Sequence, residues 1–300
     1  MQSAISNLQG GSVSQVRVVT DGDAHLDPNL AHELNITVVP LTVQIEGEVY
    51  QDENGARNEG LLARMARDRS RPAIVGPTTA DFRRVYQHLT RTTDRILSIH
   101  TSARLSPVFR NARTAADAFL GRCDITVMDS QSTSLGLGIL AREAAKMARA
   151  GYSLGEVVRH IRGMISRIYV VMFTDSLDYL ERSGRISKSQ CILGTMLGIK
   201  PFLAIEDGEI IPMEKVRSRE KGLDKLAEFA GEFTRIEEMA ILQSTSYPTS
   251  ETLLLRERLE SSFPGKGFPI LVYGPMLAYH VGPDGLGLVT YEGFEERESL

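Results

Sequence analysis

A repeated unit, in which a short apolar strand ends in polar residues and a helix follows, is the feature that most constrains this fold. Three such strands, at residues 16–20, 95–100 and 124–129, run into Asp21, Thr101 and Ser130. Strands that alternate with helices in this way predict a parallel, doubly wound sheet. Ligands of such sheets bind beyond the carboxyl ends of the strands. The order of the elements therefore predicts a site where these polar ends converge.

The pattern changes after Gly151, where later strands and helices indicate a second α/β domain with mixed strand directions. We expect a flexible tail at 1–15, an N-terminal parallel α/β domain at 16–155 and a C-terminal α/β domain with a mixed sheet at 156–300. Within the first domain, the run ITVVPLTVQI predicts a single strand. The polar residues 46–70 predict a surface excursion with a short helix.

Composition excludes several classes of protein. The net charge of −4 over 300 residues gives no overall positive field for nucleic acid or an anionic membrane, which argues against nucleic acid as the main partner but leaves a local basic patch open. No run approaches the ~18 apolar residues of a membrane span, and the first fifteen residues lack the regions of a signal peptide. Cys123 and Cys191 favour two reduced, buried thiols, although spacing leaves a disulfide open. We expect a soluble cytoplasmic protein.

His280 is the first candidate site residue. It stands between two apolar strands, just before Gly282, so we place it at a strand end. There its imidazole can donate to a ligand carboxylate, or a backbone carbonyl can satisfy it. Position alone favours the backbone partner.

The segment 101–106 is the second candidate, because hydroxyls and free N–H groups before a helix form an anion site. Ser106 is expected to cap that helix, with Pro107 as its first residue. This leaves the hydroxyls of Thr101 and Ser102 free for a ligand.

Two basic segments and three aspartates remain open. The loop around Arg185 binds an anion or a partner, or is simply solvated. The same alternatives hold for a basic cluster in which solvation is the usual outcome: Lys215, Arg217 and Arg219. Asp21, Asp23 and Asp129 could hold Mg²⁺, but turn or capping duty is favoured, so we predict no metal site. The sequence has no phosphate-binding or nucleophile-elbow motif, so no catalytic residue is assigned.

Six ordered blocks between residues 16 and 292 resemble the DegV family. VVTDGDAHL is similar to its VTDSTADL, SIHTSARLSPVFRNA to its SIHISSxLSGTYxSA, and MDSQSTSLGLGIL to its IDSxSASMGLGLL. ITVVPLTVQIEGEVYQD follows the first block in the expected place. The longest match begins LDYLERSGRISKSQ, and YGPMLAYHVGPDGLGL resembles the closing IGPVIGxHTGPGALGL.

The resemblance implies a bacterial carrier that is not itself an enzyme and needs no cofactor. It would hold one long-chain fatty acid, palmitate or similar, in an apolar tunnel between the domains. It would present the carboxylate to a separate kinase that makes an acyl phosphate from ATP. His280, Gly282, Arg185 and the loop with Thr101, Ser102 and Ser106 would lie at the carboxylate, and Lys215, Arg217 and Arg219 would dock the kinase. Transient membrane contact stays open.

The chain departs from the family pattern at the head-group positions. The family's TSQPS block reads IVGPT here, so Ile74 and Val75 replace two hydroxyl residues, and Ala103 replaces a serine. A hydrogen bond to a charged group contributes about 1.5–3 kcal/mol, so each loss weakens head-group binding roughly tenfold or more. Two alternatives follow. One is an acyl hydrolase or transferase using His280 and Ser102, and the other is a regulatory family member that has lost lipid binding.

Overall fold

The computed structural model describes residues 15–45, 47–51, 56–68 and 72–294. Most of the expected tail, part of the excursion at 46–70 and the last six residues lie outside these ranges. The first lobe is built on a parallel four-stranded sheet in the order β2-β1-β6-β7. Its strands are β1 (Arg17–Asp21), β2 (Ile36–Val39), β6 (Arg95–His100) and β7 (Asp124–Asp129). The predicted parallel sheet is confirmed.

Helices cover this sheet in two pairs. Helices α3 (Thr79–Leu89) and α4 (Val108–Ala116) pack on each other, as do α5 (Ser134–Arg149) and α6 (Leu154–Ile165). The short helix α1 (Pro28–Glu33) is capped by Asp27, whose carboxylate accepts hydrogen bonds from the N–H groups of Asn29 and Leu30. Because helices cover β1 and β6, these two strands are almost wholly buried.

The run ITVVPLTVQI forms two strands, which corrects the prediction of one. Pro40 has no N–H to donate to a strand ladder, and the chain leaves the parallel sheet there. Strand β3 (Thr42–Ile45) instead joins a three-stranded antiparallel sheet in the order β4-β3-β5. Its partners are β4 (Glu48–Gln51) and β5 (Pro72–Gly76), and α2 (Ala56–Asp68) connects those two. The segment expected as a surface excursion therefore supplies a strand and a 13-residue helix.

The second lobe has the predicted mixed sheet. Its six strands lie in the order β10-β9-β8-β13-β11-β12. The strands are β8 (Ile168–Phe173), β9 (Lys200–Glu206), β10 (Glu209–Val216), β11 (Glu238–Gln243), β12 (Ile270–Val272) and β13 (Leu286–Tyr291). Its helices are α7 (Asp178–Arg182), α8 (Lys188–Met196), α9 (Arg219–Gly231), α10 (Ser250–Ser262) and α11 (Pro275–Val281). Four pairings are antiparallel, and only β11 and β12 run parallel.

One apolar core runs through both lobes. It joins strand residues of the first lobe to residues of α7 and α11 in the second. Leu180, Met276 and Leu277 are among the latter, and all three are fully buried. Helix α11 packs against α7, α2 and β5. This position puts α11 at the boundary between the lobes, where the sequence predicts the ligand. The domain boundary at residue 155 stays a prediction.

Candidate functional site

The carboxyl ends of β1 and β6 meet in a fully buried polar cluster. The Asp21 carboxylate lies 2.9 Å from His100 Nδ1 and accepts the Thr101 N–H at 3.0 Å. It also accepts the Thr101 hydroxyl at 2.8 Å. All three residues are 0% exposed. The predicted convergence of strand ends is therefore present, but its centre is a carboxylate.

Asp23 extends this cluster to the start of α5. Its carboxylate accepts hydrogen bonds from three groups of neighbouring loops: Thr101 Oγ1, Thr133 Oγ1 and the Ser134 N–H. Ser134 has a φ of +53°, which is unusual for a residue with a side chain. Asp23 thus helps to hold a strained turn and three loops in one arrangement.

The hydroxyls expected to be free for a ligand are already engaged. The single hydrogen of the Thr101 hydroxyl is shared between the carboxylates of Asp21 and Asp23, and Ser102 Oγ donates to Gly208 O at 2.6 Å. Ser106 Oγ accepts the Val108 N–H at 3.3 Å, but α4 begins at Val108, so Pro107 precedes the helix and is not its first residue. A ligand at this loop would have to replace these contacts or use other donors.

His280 lies in the last turn of α11 and not at a strand end, which corrects the prediction. Its Nε2 is 3.2 Å from Leu105 O, and the residue is 2% exposed. Burial, and then the positive charge of Arg185, lower the pKa of His280 to about 4. The ring is therefore neutral at pH 7, and it has the backbone carbonyl partner that position alone favoured.

Arg185 reaches the same loop from the second lobe. Its Nη2 donates to Arg104 O at 2.8 Å, next in sequence to the carbonyl that faces His280. Its Nη1 pairs with Glu209 at 3.1 Å, and Glu209 also pairs with Arg104 at 3.0 Å. The structure thus brings His280, Arg185 and the loop 101–106 together.

The remaining predicted ligand residues lie around this cluster in different settings. Gly282 ends α11 with a φ of +89°, and a Cβ there would lie 2.7 Å from the ring of Tyr179. Ile74 packs on the apolar core, whereas Val75 is 48% exposed. Since β5 packs against α11, Ile74 is on an element next to His280.

The predicted docking cluster divides into two kinds of residue. Lys215 and Arg217 are exposed. Arg219 instead pairs with Glu251 at 2.7 Å and Asp175 at 3.0 Å, and its guanidinium lies over the Phe173 ring. Arg219 therefore holds the second lobe together, which leaves Lys215 and Arg217 as the accessible part of the cluster.

The hydrolase constellation is not assembled. Ser102 Oγ donates to Gly208 O, and His280 Nε2 faces Leu105 O, so the two side chains are not paired as nucleophile and base. Among the described residues, no group of three or more histidines, cysteines or carboxylates could hold a metal ion. Asp129 accepts the N–H groups of Ala103 and Gln131, which is the turn role that was favoured. Cys123 and Cys191 are unpaired, and Cys123 is only half-buried.

Apolar residues of the loop 101–106, of α7 and of α11, together with the residue before α7, belong to the buried core. Leu105, Leu177, Tyr179 and Val281 are each at most 9% exposed. A surface cavity of about 490 Å³ lies elsewhere, lined by residues that include Arg142, Lys146 and His160, and His280 is not part of its lining.

Sequence reasoning missed the role of the β9–β10 turn. Asp207 and Gly208 form this turn with φ values of +48° and +78°. Gly208 O accepts a hydrogen bond from Ser102, and Glu209, the next residue, accepts one from Arg104. The Asp-Gly pair signals a hairpin, but no local pattern shows that the turn docks on the other lobe. His100 was likewise missed, since a histidine within an apolar strand carries no spacing signal.

Gly208→Ala is expected to lower the free energy of unfolding by about 2 kcal/mol. The left-handed backbone costs a residue with a Cβ about 1 kcal/mol, and that Cβ would lie 2.3 Å from Ser102 Oγ. Urea denaturation would measure the loss. Gly265→Ala is the matched control, because Gly265 has a φ of +81° with nothing within 4 Å of a Cβ. Equal losses in the two variants would contradict a specific contact between the turn and Ser102.

Helix α8 exposes an apolar face. Three of its residues and the residue just after it are at least half exposed: Ile192, Leu193 and Met196 in the helix, and Leu197 after it. From residue 182 to 200 the sequence has four basic side chains and no acidic one. No helix within the described ranges is both long and apolar enough to cross a bilayer.

Comparison with known proteins gives a consistent result. The family model described as "Uncharacterised protein, DegV family" matches residues 15–293. A DegV domain-containing protein of Deinococcus radiodurans is 34% identical over 213 residues, covering 71% of this chain and 75% of that protein. One from Listeria innocua is 29% identical over 278 residues, covering 91% and 97%.

Solved structures agree with these sequence matches. A fatty acid-binding DegV family protein from Thermus thermophilus superposes with a TM-score of 0.80 at 29% identity, covering 93% of this chain and 100% of that one. DegV of Bacillus subtilis, described as a fatty acid-binding protein, superposes with a TM-score of 0.78 at 25% identity, covering 93% and 99%.

Proposed function

The chain belongs to the DegV family, and from this we propose that it binds one long-chain fatty acid between its lobes. The observation that carries the proposal is the meeting of His280 and Arg185 on adjacent carbonyls of the loop 101–106. Two side chains from the second lobe thereby close on a polar loop of the first. Their neighbours in sequence, Val281 and Ile186, lie in or pack against the apolar core. An acyl chain in that core with its carboxyl group at this cluster would match both environments.

The energetics favour a lipid even with fewer head-group donors. Each buried methylene contributes about 0.8 kcal/mol, so a long acyl tail outweighs the loss of one or two hydrogen bonds at Ile74 and Ala103. The tail would enter by separating the side chains that pack between the lobes, because interiors are close-packed. Binding therefore includes a movement of α11 or its neighbours.

We further propose that the bound carboxylate is presented to a separate ATP-dependent kinase in the cytoplasm. The chain itself carries no phosphate-binding loop, so the phosphoryl transfer would belong to the partner. Exposed Lys215 and Arg217 are the proposed docking residues. Their positive charges would steer a partner with an acidic surface.

A transient membrane contact is also part of the proposal. The exposed apolar face of α8 lies in a segment with basic and no acidic side chains from 182 to 200. This combination suits the surface of an anionic bilayer. Such a contact would bring the carrier to the source of its acyl chains.

The deciding experiment is extraction of the purified protein into organic solvent, followed by mass spectrometry. We expect one fatty acid per chain, or uptake of added palmitate by the delipidated protein. Palmitate at a hundred times its Kd should raise the free energy of unfolding by about 2.7 kcal/mol. Finding no extracted fatty acid together with no palmitate uptake would overturn the proposal.

Arg185→Gln tests where the head group lies. Removing a charged donor should weaken palmitate binding about tenfold. Arg182→Gln is the matched control, since Arg182 ends α7 three residues before Arg185 and stacks on Tyr179. Equal affinities of the two variants would place the head group elsewhere.

A regulatory family member without lipid binding is the second candidate. It is favoured by Ile74 in place of a hydroxyl residue and by the continuous apolar core that both lobes share. The palmitate experiment separates the two functions, because this candidate predicts neither extraction nor uptake.

A further inference from the structure

The hydrogen-bond partner of His280 fixes which ring nitrogen carries hydrogen. Nε2 faces Leu105 O at 3.2 Å, and a carbonyl oxygen only accepts. Nε2 must therefore be the N–H of the neutral ring, which leaves Nδ1 with an unshared electron pair. In this tautomer Nδ1 accepts a hydrogen bond and cannot donate one.

His280 Nδ1 is buried, and no group in the described ranges donates to it. The residue is 2% exposed, with the Tyr279 ring packed edge-on at 4.9 Å between centroids. A buried acceptor without a donor is costly. The group that completes this site must therefore bring a hydrogen.

A carboxylate brings only electron pairs, so it would face Nδ1 as one acceptor against another. We propose that His280 selects head groups that carry a hydrogen. A fatty acid then binds together with one proton taken from water, whereas permanently ionised alkyl sulfonates are rejected. The proton lies on the carboxyl oxygen, which donates it to Nδ1, whereas a sulfonate has no hydrogen to donate. This inference rests on the proposed function, because it concerns how the same head group is held.

The charges around His280 come from the elements packed against α11. The charge that acts on the ring is that of Arg185, and Glu209 lies between Arg185 and Arg104 as their shared counter-ion. The titratable residues in the sequence of α7 are Asp178, Tyr179, Glu181 and Arg182, those of α2 are Arg57, Glu59, Arg64, Arg67 and Asp68, and β5 has none. Of these, Asp178 accepts from the Cys191 thiol and Arg64 pairs with Glu48.

Arrival of the ligand changes this balance. Before binding, the arginine charge and burial both keep the His280 ring neutral. A carboxylate that enters this buried site loses its hydration and faces the lone pair of Nδ1, and both effects favour the protonated carboxyl group. Proton uptake therefore accompanies binding of the acid and has no counterpart for an uncharged alcohol.

The sign of the pH dependence follows directly. Above the pKa of a free carboxylic acid, about 4–5, the complex holds one proton more than the free protein and ligand together. Linkage then weakens binding about tenfold for each pH unit. Between pH 6 and pH 8 the Kd for the fatty acid should rise about a hundredfold, and that for the alcohol should stay constant.

The test is titration calorimetry of the full chain with tetradecanoate, 1-tetradecanol and tetradecane-1-sulfonate, each delivered from cyclodextrin. Paired buffers of different ionisation enthalpy at pH 6, 7 and 8 count the protons. We expect about one proton taken up per tetradecanoate, none per alcohol, and sulfonate binding at least a hundredfold weaker than tetradecanoate at pH 6.

His280→Gln tests the acceptor role of Nδ1. The glutamine amide keeps a donor toward Leu105 O but has no ring nitrogen with a lone pair at the position of Nδ1, so the protonated head group loses its partner and the pH dependence should flatten. His88→Gln, on the exposed surface of α3, should behave as the unaltered protein. Should the His280 variant fail to fold, the proton count and the sulfonate comparison on the unaltered chain still decide.

Tetradecanoate binding without proton uptake, or with sulfonate bound as tightly, would overturn this inference and leave the carrier function intact. An unchanged pH dependence in folded His280→Gln would do the same. If none of the three ligands binds at any pH, the proposed function fails and this inference falls with it.

Discussion

Asp23→Ala is expected to lower the free energy of unfolding by about 4 kcal/mol. The substitution removes a carboxylate that accepts from Thr101, Thr133 and Ser134 in a fully buried cluster. A buried donor left without an acceptor costs about 1–3 kcal/mol, and breaking a buried charged network costs about 3–5 kcal/mol. Urea denaturation followed by circular dichroism would measure the change.

Asp27→Ala is the control for this variant. Asp27 also accepts two N–H groups, but it caps α1 at the exposed surface. Loss of such a cap costs about 1 kcal/mol. The Thr101 hydroxyl keeps Asp21 as an acceptor in Asp23→Ala. A loss of 1 kcal/mol or less would mean that water or a shifted loop satisfies Thr133 and Ser134, and the cluster would then not hold the loops.

Acidification from pH 7 to pH 4 is expected to remove about 3 kcal/mol of unfolding free energy through His280. Its pKa is lowered from 6.5 to about 4 in the folded chain, so the unfolded chain takes up a proton first as the pH falls. The contribution is complete above pH 6.5 and is lost progressively down to pH 4. Each pKa unit corresponds to about 1.4 kcal/mol.

The comparison of the unaltered chain with His280→Gln isolates this contribution. His25, whose pKa is also lowered by burial, is present in both proteins, so its effect cancels. The difference between the two stability curves should change by about 3 kcal/mol over this range. Parallel curves would show that His280 is not a buried neutral base.

The parallel sheet was predictable because its strands and helices follow one another with clear apolar periods and polar ends. The two strands at 36–45 were not predictable. Pro40 separates them and they join different sheets, and an apolar run does not indicate which sheet a strand joins. Helix α11 has seven residues. Between two strands, so short an apolar run is indistinguishable from strand or turn.

The site was predictable as a place more than as a set of contacts. The topological rule and the family blocks brought His280, Arg185 and the loop 101–106 to one crevice. The partners of Thr101 and Ser102 were not readable, because Asp23 and Gly208 lie 78 and 106 residues away in sequence. Local patterns carry no information on hydrogen bonds of that separation.

Strand β13 lies between β8 and β11, in the middle of the six-stranded sheet. It is the last strand along the described part of the chain. Strands β8–β10 are hydrogen-bonded to β11 and β12 only through β13. During synthesis the second lobe must therefore wait with two open strand edges until residue 291 leaves the ribosome. Chaperone dependence and loss of nascent chains should concentrate in that interval, because exposed edges invite mispairing.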